Sequence, residues 1–375
     1  METRLWDICE IITWSTPSSF NQEYYDGNFL RACPADLDQW NIVYRTKKTL
    51  TSKWVTEWKI RKIPKWAVMV CCIWTIWKCA IAWQEMATNQ QINSFVPKDG
   101  WALDSKYLLF CIRAREKLFQ WRSTSTTVPI INKTQCSNLE IPLPSLLEQQ
   151  VIAARLDEIQ ELINLRRESL AKLEEYSKSL FLDMFGDPIL NPKEWEVKTF
   201  RDISKLNQGL QIPISERSIH KINWSYPYIT IQYLNWNKDS EFILAPSPSV
   251  ICNKDDILMT RTGNTWQIIY GIEWVFHNNF FKIDYSRLVL DKMFIVFYLK
   301  FEHIQKIILA KAWTSTIPDL NHWDFYKIPI PIPPLTLQQE FESRIERINA
   351  LKSDYQLSLD KLTELYQATM QHYFG

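Results

Sequence analysis

The chain has 375 residues, which is enough for two domains with a hydrophobic core in each. Its 43 Lys and Arg residues nearly balance 42 Asp and Glu residues, and the net charge of +1 excludes a polycation that coats nucleic acid. The 8 cysteines include no CxxC pair, so neither a zinc site nor a disulfide framework is implied. The most apolar stretch, 67–83, contains Lys78 and is too short for a membrane span, and the N-terminus lacks a signal-peptide pattern. We therefore expect a cytoplasmic protein with reduced thiols.

The first 140 residues alternate short β-rich runs with clusters of turn residues, a pattern that predicts a compact globule. Strands are predicted at Ile8–Thr13, Ala67–Ile73 and Cys79–Ala82, and the apolar spacing of Ser105–Phe119 predicts a helix. Eight Lys and Arg residues occur between positions 45 and 65, against one acid. Such a run is typical of a phosphate-binding face or of a solvated loop, and charge alone favours neither.

Residues 141–186 predict a proline-rich strand that leads into a long helix. The segment opens with IPLPSL, and Ser145 with Glu148 has the S-x-x-E pattern of a capping box at a helix start. Apolar residues then recur at intervals of three and four, which predicts a seam for packing against another helix. The predicted seam residues are Leu156, Ile159, Ile163, Leu170, Leu173 and Leu180.

Residues 187–329 repeat the plan of the first globule. The β-rich runs are Tyr226–Leu234, Ile257–Arg261 and Gln267–Ile272, and the pattern of Lys292–Lys311 is helical. A second globule of the same kind is therefore predicted.

Residues 330–375 are a second copy of 141–186, displaced by 189 positions. The two copies align without a gap, and 16 of 46 positions are identical. The second copy opens with IPIPPL and has a capping pattern at Thr336 and Gln339. Its predicted seam residues are Ile345, Ile348, Tyr355, Leu359, Leu362 and Met370.

The two long helices favour packing on each other. A helix of about 35 residues is about 50 Å long, too long and too one-sided to be buried within one globule. We expect an antiparallel coiled coil if the globules lie at opposite ends; the alternative is that each helix docks on its own globule. The predicted fold is α+β, with two similar globules that are each followed by a long helix.

Tryptophan occupies many positions where turn chemistry favours glycine. The chain has 18 Trp and 7 Gly, whereas average usage gives about 26 Gly for this length. Trp74 aligns with Gly263 at the displacement of 189, and Trp14 aligns with Gly209 at 195. One explanation is a tryptophan-rich surface that stacks on bases. Our hypothesis is instead that most of these codons are UGA, which the source organism translates as glycine. The candidates are Trp14, Trp66, Trp74, Trp77, Trp266 and Trp313.

Over essentially its whole length the chain resembles the specificity subunit of type I restriction–modification systems. The most specific motifs are the junctions IPLPSLLEQQ and IPIPPLTLQQE, each followed by a helix that ends in FG. Supporting motifs are PKEWEVKTFRDI, the pair CIWTIWK and RTGNTWQ, and the pair TVPIIN and TIPDLN. The resemblance implies that 1–140 and 187–329 are target recognition domains, each of which reads one half of a split, asymmetric DNA sequence. It also implies that 141–186 and 330–375 are spacers that fix the unread gap.

The resemblance further implies partners that carry out the chemistry. They would be double-stranded DNA, two methyltransferase subunits docked on the helices, and restriction subunits that translocate and cut DNA. S-adenosylmethionine, ATP and Mg would be used by those subunits, and this chain would bind no cofactor or metal. The residues agree, because Asp187-Pro188 and Asn191-Pro192 lack the second proline of a base-binding methyltransferase loop. There is also no G-x-x-x-x-G-K-[ST] loop, and the 5 histidines form no evident metal set.

Candidate DNA contacts follow from residue chemistry, because cations bind phosphates while amides and hydroxyls address base edges. In the first globule they are Arg45, Lys47, Lys48, Lys53, Arg61, Lys62, Thr75 and Lys78. In the second globule they are Arg261, Thr262, Asn264 and Thr265.

Three rival functions stay open at this point. An orphan or decoy subunit would lack partners, and neighbouring methyltransferase and helicase genes would distinguish it. An adenine methyltransferase with fused recognition domains is disfavoured because the catalytic loop is missing. A coiled-coil scaffold that binds proteins would show no salt-dependent affinity for DNA.

Overall fold

The computed structural model describes residues 2–13, 22–37, 42–57, 61–73, 78–98, 102–115, 131–234, 241–244, 247–262, 266–312 and 319–375. The chain divides into two compact units. The first unit comprises Met1–Arg167 and Leu357–Gly375, and the second comprises Glu168–Gln356. Each unit therefore contains one globule with part of both long helices.

The first unit has a five-stranded sheet, a three-stranded sheet and a two-stranded sheet. Its strands are β1 Glu2–Arg4, β2 Cys9–Thr13, β3 Tyr25–Ala32, β4 Ile42–Val43, β5 Lys48–Leu50, β6 Val68–Cys71, β7 Cys79–Ala82, β8 Ala87–Thr88, β9 Ile92–Pro97 and β10 Glu140–Pro142. Its helices are α1 Leu5–Ile8, α2 Ser52–Glu57, α3 Ser105–Ala114, α4 Lys133–Ser137 and the start of α5 Leu146–Phe185, with 3-10 turns at Gln22–Tyr24 and Pro34–Asp36. The strand orders are β2-β9-β6-β7-β4, β5-β3-β8 and β1-β10.

The second unit repeats most of this topology. Its strands are β11 Glu196–Thr199, β12 Ser204–Gln208, β13 Ser225–Ile229, β14 Glu241–Leu244, β15 Ile251–Cys252, β16 Ile257–Thr260, β17 Ile268–Ile269, β18 Trp274–Phe276, β19 Phe280–Tyr285 and β20 Pro329–Ile332. Its helices are α6 Phe200–Ile203, α7 Ile231–Leu234, α8 Lys292–Lys300, α9 Glu302–Ala312, α10 His322–Tyr326 and the start of α11 Leu335–Phe374, with 3-10 turns at Ile214–Glu216 and Pro248–Val250. The strand orders are β12-β19-β16-β17, β14-β13-β18-β15 and β11-β20. The orders β12-β19-β16-β17, β14-β13-β18 and β11-β20 correspond to β2-β9-β6-β7, β5-β3-β8 and β1-β10 of the first unit, whereas β4 has no counterpart strand among the described residues of the second unit.

Central strand β6 is buried on both faces, which explains its uninterrupted apolar sequence. Val68 and Val70 belong to the hydrophobic cluster that contains α3. Met69 and Cys71 belong to the cluster on the opposite face. The alternation follows from the two-residue period of a strand, so each face of the sheet has its own core.

Two predicted elements are wrong in part. The run Tyr226–Leu234 is a strand only to Ile229, and its second half is α7, where the Thr230 hydroxyl accepts a hydrogen bond from the Tyr233 backbone N–H at 3.2 Å. The predicted helix Lys292–Lys311 is broken at Phe301, whose backbone is extended. The Gln305 side-chain amide donates to the Leu299 carbonyl, which lies at the end of the first helix.

The long helices begin and end at equivalent positions of the repeat. Leu146 and Leu335 are their first residues, and the Ser145–Glu148 capping box is present, with the Ser145 N–H donating to the Glu148 carboxylate at 2.9 Å. The capping pattern predicted at Thr336 is wrong, because the helix already begins at Leu335 directly after Pro334. Pro334 occupies the repeat position of Ser145, the serine cap of the first copy. Proline is common at the start of a helix.

The predicted antiparallel packing of the two helices is confirmed. In the first unit the Arg166 guanidinium donates to the Ser358 hydroxyl at 3.1 Å, and in the second unit Lys352 pairs with Glu174. Of the predicted seam residues, six are buried and six are half-buried. The buried ones are Leu156, Ile159, Ile163, Leu180, Ile345 and Ile348; the half-buried ones are Leu170, Leu173, Tyr355, Leu359, Leu362 and Met370.

Several tryptophan positions have backbone or packing features that favour glycine. Trp66 has a φ of 72°, and Trp224 has a φ of 65°, a left-handed conformation that costs an L-residue with a side chain about 1–2 kcal/mol. Gly209, the repeat partner of Trp14, lies so close to the carbonyl oxygens of Phe276 and His277 that a Cβ atom would clash with them. Trp266 is buried, and its indole N–H has no hydrogen-bond partner among the residues that the structure describes. The other candidates, Trp14, Trp74, Trp77 and Trp313, lie outside the described residues.

Candidate nucleic-acid interface

The strand pairing of the first unit separates the predicted basic residues into two groups. Strands β4 and β7 run parallel, with Ile42 opposite Ile81. Arg45 therefore follows the end of β4, whereas Lys78 precedes the start of β7. The two side chains lie at opposite ends of this strand pair, separated by at least the length of β7, about 13 Å.

Exposed cations gather at the end of the sheet where Arg45 lies. Tyr44 contacts Trp83 with ring centroids 4.9 Å apart, the Ile63 backbone bridges to Met86, and Lys48 lies opposite Arg31, whose other neighbour is Ala87. These contacts bring three stretches of the basic run to residues 83–87. We name this surface the basic edge; it consists of Arg45, Lys47, Lys48, Arg61, Lys62 and Lys65, all of which are exposed.

The basic edge is anchored by fixed neighbours. The buried Asp36 carboxylate accepts a hydrogen bond from the Lys47 backbone N–H at 2.9 Å. The Lys62 ammonium pairs with Glu85 at 2.9 Å and lies 5.5 Å from the centroid of the Phe29 ring. A backbone held by hydrogen bonds that presents exposed cations is suited to contacts with phosphates, which position a protein on DNA without reading its bases.

The remaining first-unit candidates lie elsewhere or are not described. Lys53 is on α2, exposed, and 3.6 Å from the Glu23 carboxylate. Lys78 is half-buried, and its backbone carbonyl accepts a hydrogen bond from the Cys71 N–H at 2.8 Å. Thr75 lies outside the described residues. Lys65, which was not among the predicted contacts, is brought to the basic edge by the fold; its place within the same basic run is the signal that identifies it.

In the second unit, Arg261 is held by an acid distant in sequence. Its Nε and Nη2 atoms donate to the two carboxylate oxygens of Asp319 at 2.9 and 2.7 Å. The backbone reinforces the pair, because Thr262 bridges to Asp319 and the Leu320 N–H donates to the Arg261 carbonyl at 2.9 Å. The ion pair thus fixes the chain on one side of 263–265, the segment that contains the predicted contacts Asn264 and Thr265, which lie outside the described residues.

Local electrostatics favour a positioning role for this arginine. The bidentate carboxylate offsets its charge, and the Arg261 side chain is only 18% exposed. Burial and the Arg261 guanidinium lower the pKa of His322, so this imidazole is neutral at pH 7 and adds no cation to the site. Arg217, a further arginine of this unit, pairs with Glu241 at 2.9 Å in a largely buried position.

The residues that the structure describes contain neither a cluster of metal ligands nor a helix that could span a membrane. Among those residues, no group of three or more His, Cys, Asp or Glu side chains is arranged to hold a metal ion. Within the same ranges, no helix combines the length and hydrophobicity that a bilayer crossing requires.

The duplicated sheets and paired long helices match a known family. The model of the type I restriction modification DNA specificity domain matches residues 1–175 and 192–355. The chain belongs to this family. The two matched stretches correspond to the two copies of the internal repeat, so each unit contains one specificity domain. The resemblance predicted from the junction motifs is therefore confirmed.

Related proteins agree with this assignment, and solved structures show a similar fold. The chain is 29% identical over 368 residues to the type I restriction enzyme MjaIX specificity subunit of Methanocaldococcus jannaschii, covering 91% of this chain and 84% of that protein. It is 22% identical over 200 residues to the MjaVIII specificity subunit of the same organism, covering 53% of this chain and 46% of that protein. Among solved structures, the S subunit of a type I restriction–modification system from M. genitalium has a TM-score of 0.66 at 14% identity, covering 100% of this chain and 96% of that one. A chain from a study of type I R-M complex assembly and conformational transition has a TM-score of 0.58 at 15% identity, covering 100% and 97%.

Proposed function

We propose that this chain is the DNA-specificity subunit of a type I restriction–modification complex and that it reads a split, asymmetric DNA site. The observation that carries the proposal is the duplication of a whole specificity domain, in which the order β2-β9-β6-β7 of the first unit recurs as β12-β19-β16-β17 in the second. Two copies of one reader address two half-sites, and because the copies have diverged in sequence, the half-sites differ.

The basic edge supplies phosphate contacts in the first unit. Each lysine or arginine that neutralises a phosphate displaces a counterion, and the logarithm of the binding constant falls with the logarithm of salt by about 0.9 per contact. Base reading is assigned to residues 75–78 in the first unit and 262–265 in the second, with Thr75, Lys78, Thr262, Asn264 and Thr265 as the contacts. Arg261 would then fix the start of the second of these segments through Asp319.

Two methyltransferase subunits would dock on the paired helices, because each unit carries an equivalent exposed apolar pair. In the first unit these are Leu162 and Leu365, exposed by 41% and 46%. At the displacement of 189 positions these correspond to Leu351 and Tyr176 of the second unit, which are exposed by 47% and 54%. In the first unit the hydrogen bond from Arg166 to Ser358 sets the antiparallel register of the two helices. This register places Leu162 and Leu365 within about one helical turn of each other along the helix axes. A duplicated apolar surface fits two copies of one partner.

A charge placed in each pair tests this docking surface. We expect Leu162→Asp with Leu365→Asp to leave one methyltransferase subunit bound and the corresponding change at Leu351 and Tyr176 to remove the other. Leu357→Asp is the matched control, since Leu357 is 55% exposed but has the acid Glu168 at its repeat position. Native mass spectrometry of the purified complex measures the stoichiometry. Full occupancy in both double variants would exclude this surface as the dock.

Methylation, ATP hydrolysis and cleavage would reside in the partner subunits. S-adenosylmethionine, ATP and Mg would be bound there, and this chain would supply DNA recognition and assembly with no cofactor of its own. Restriction subunits would join the methyltransferases on DNA. Because the ligand is genomic or invading DNA, the proposed compartment is the cytoplasm.

Mapping of N6-methyladenine across the host genome tests the proposed function directly. Deletion of this gene is expected to abolish methylation at one split, asymmetric motif, and the gene restored in trans is expected to return it. An unchanged methylome would instead identify a decoy or a protein-binding scaffold. Working in the host also removes any uncertainty about how UGA codons are translated.

A further inference from the structure

Two glutamines at equivalent positions of the repeat are fully buried. Gln149 and Gln338 are each the fourth residue of a long helix, and both have 0% exposure. The next residue in each copy is also glutamine, and both Gln150 and Gln339 are exposed. Glutamine is mostly found at the surface, so its full burial at both positions requires specific partners.

In the first unit the amide of Gln149 joins three chain segments. Its Oε1 accepts a hydrogen bond from the Asp104 backbone N–H at 2.9 Å, and its Nε2 donates to the carbonyls of Ala102 at 3.0 Å and Pro144 at 2.9 Å. Asp104 is the N-cap residue of α3 and accepts from the Tyr107 N–H at 2.8 Å. One side chain therefore connects the long helix, the proline strand and the start of the main helix of the globule.

The second unit contains the same arrangement. Gln338 Oε1 accepts from the Asp291 N–H at 2.8 Å, and Nε2 donates to the carbonyls of Val289 at 3.1 Å and Pro333 at 2.7 Å. Asp291 caps α8 and accepts from the Met293 N–H at 2.8 Å. Since the two units differ widely in sequence between these points, the shared geometry indicates a shared requirement.

Only a carboxamide satisfies all three partners. The site needs one acceptor and two donors on a single planar group, and each partner is a backbone group that has lost water. A carboxylate would keep the acceptor and lose both donors, and an aliphatic side chain would lose all three bonds. Each glutamine is thus a rigid joint between a recognition domain and its own long helix.

We infer that Gln149 and Gln338 are positioning residues that determine which gap length between the two half-sites the protein accepts. The inference rests on the proposed function. Adding one base pair to the gap moves a half-site by about 3.4 Å along the duplex. A recognition domain rejects that shift only if its orientation on its own helix is fixed, and the buried amide contributes hydrogen bonds that fix it at the start of the helix. Both glutamines are fully buried and therefore cannot reach DNA, so we expect the bases that are read not to depend on them.

The experiment replaces the gene in its host with single variants and maps N6-methyladenine at base resolution. For Gln338→Leu and Gln149→Leu we expect the same two half-sites, with methylation extended to gaps one base pair longer or shorter and discrimination between gaps reduced about tenfold. Gln339→Leu and Gln150→Leu are the matched controls and should keep one gap length. A change of half-site bases, or a single unaltered gap at normal protein level, would overturn the inference.

A second substitution at each glutamine tests the inference in case the leucine variants do not fold. Gln338→Glu and Gln149→Glu keep the size of the side chain and the acceptor for the capped helix. If the leucine variants do not accumulate, broadened gap lengths in the glutamate variants support the inference, and an unaltered gap contradicts it. If leucine and glutamate variants both lose folded protein while the exposed controls keep it, the glutamines are only structural and the inference is wrong. If the restored wild-type gene returns no split motif, the proposed function itself fails.

Discussion

The left-handed backbone at Trp224 predicts that glycine stabilises the second unit. Trp224 has a φ of 65° and is 87% exposed, so its side chain has little packing to lose. Relief of the left-handed strain is worth about 1–2 kcal/mol, and the greater freedom of glycine in the unfolded chain takes back about 0.4–1 kcal/mol. Trp224→Gly is therefore expected to raise the free energy of unfolding by about 1 kcal/mol, or Tm by about 2–4 °C for a unit of this size.

Urea unfolding of protein made from a recoded gene, with UGG at each tryptophan, measures the effect. Trp224→Ala is the matched control, because alanine removes the indole but keeps the Cβ atom and its clash in the left-handed conformation. We expect the alanine variant to resemble the parent chain and the glycine variant to exceed it. Equal stabilities for the two variants would show that the backbone at this position is not strained.

At other tryptophans, contacts of the indole ring change the expected effect of a glycine substitution on stability. Trp66 has a φ of 72°, but its ring contacts Trp83 at 6.0 Å and the Lys65 ammonium at 4.9 Å, so Trp66→Gly is expected to be nearly neutral. Trp195 donates its indole N–H to the Phe185 carbonyl at 3.0 Å, and glycine there should destabilise the protein. Opposite signs of the stability change at Trp224 and Trp195 would separate glycine-like from true tryptophan sites, a distinction that UGA and UGG codons would check independently.

Three further predictions concern pH, packing and charge. Burial, with the Asp291 carboxylate as a second cause, raises the pKa of Glu342 from its ordinary 4.5 to about 7. As pH rises, the unfolded chain therefore releases this proton before the folded protein does. The free energy of unfolding consequently falls between about pH 4.5 and 7. Glu342→Gln should remove this fall in urea unfolding at pH 5 and 8. Phe181→Ala should cost about 3–5 kcal/mol by the same method, because the ring is 2% exposed and stacks on Phe294 at 5.6 Å. A double-mutant cycle on Arg261 and Asp319 should give a coupling of about 0.5–1 kcal/mol for this half-exposed pair.

Each of these predictions has a result that contradicts it. An unchanged pH profile for Glu342→Gln would mean that the carboxyl is not shifted in the folded protein. A loss below about 1 kcal/mol for Phe181→Ala would mean that the aromatic cluster is not part of the core. Zero coupling between Arg261 and Asp319 would leave the guanidinium free to contact DNA, as the sequence pattern first indicated.

The internal repeat and the spacing of apolar residues were sufficient to predict the two long helices and the seam between them. The repeat at 189 positions established which residues are equivalent, and both long helices begin and end at equivalent residues. The recurrence of apolar residues at intervals of three and four positions predicted a helix–helix seam, and all its residues are at least half-buried. The same reasoning failed at Phe301, because a helix break depends on what the neighbouring turns pack against as well as on propensity.

The amino-acid sequence by itself determined the duplication, the two globule-and-helix units, the family and the basic run, since all of these are properties of residues near one another or of one copy compared with the other. Only the tertiary structure decided that Lys78 lies at the opposite end of its strand pair from Arg45, that Arg261 binds Asp319 across 58 positions, and that Gln149 is a buried joint while Gln150 is exposed. These features depend on strand register and on the rotation of a helix against its domain. Pairings over long separations set both, and no local pattern encodes such pairings.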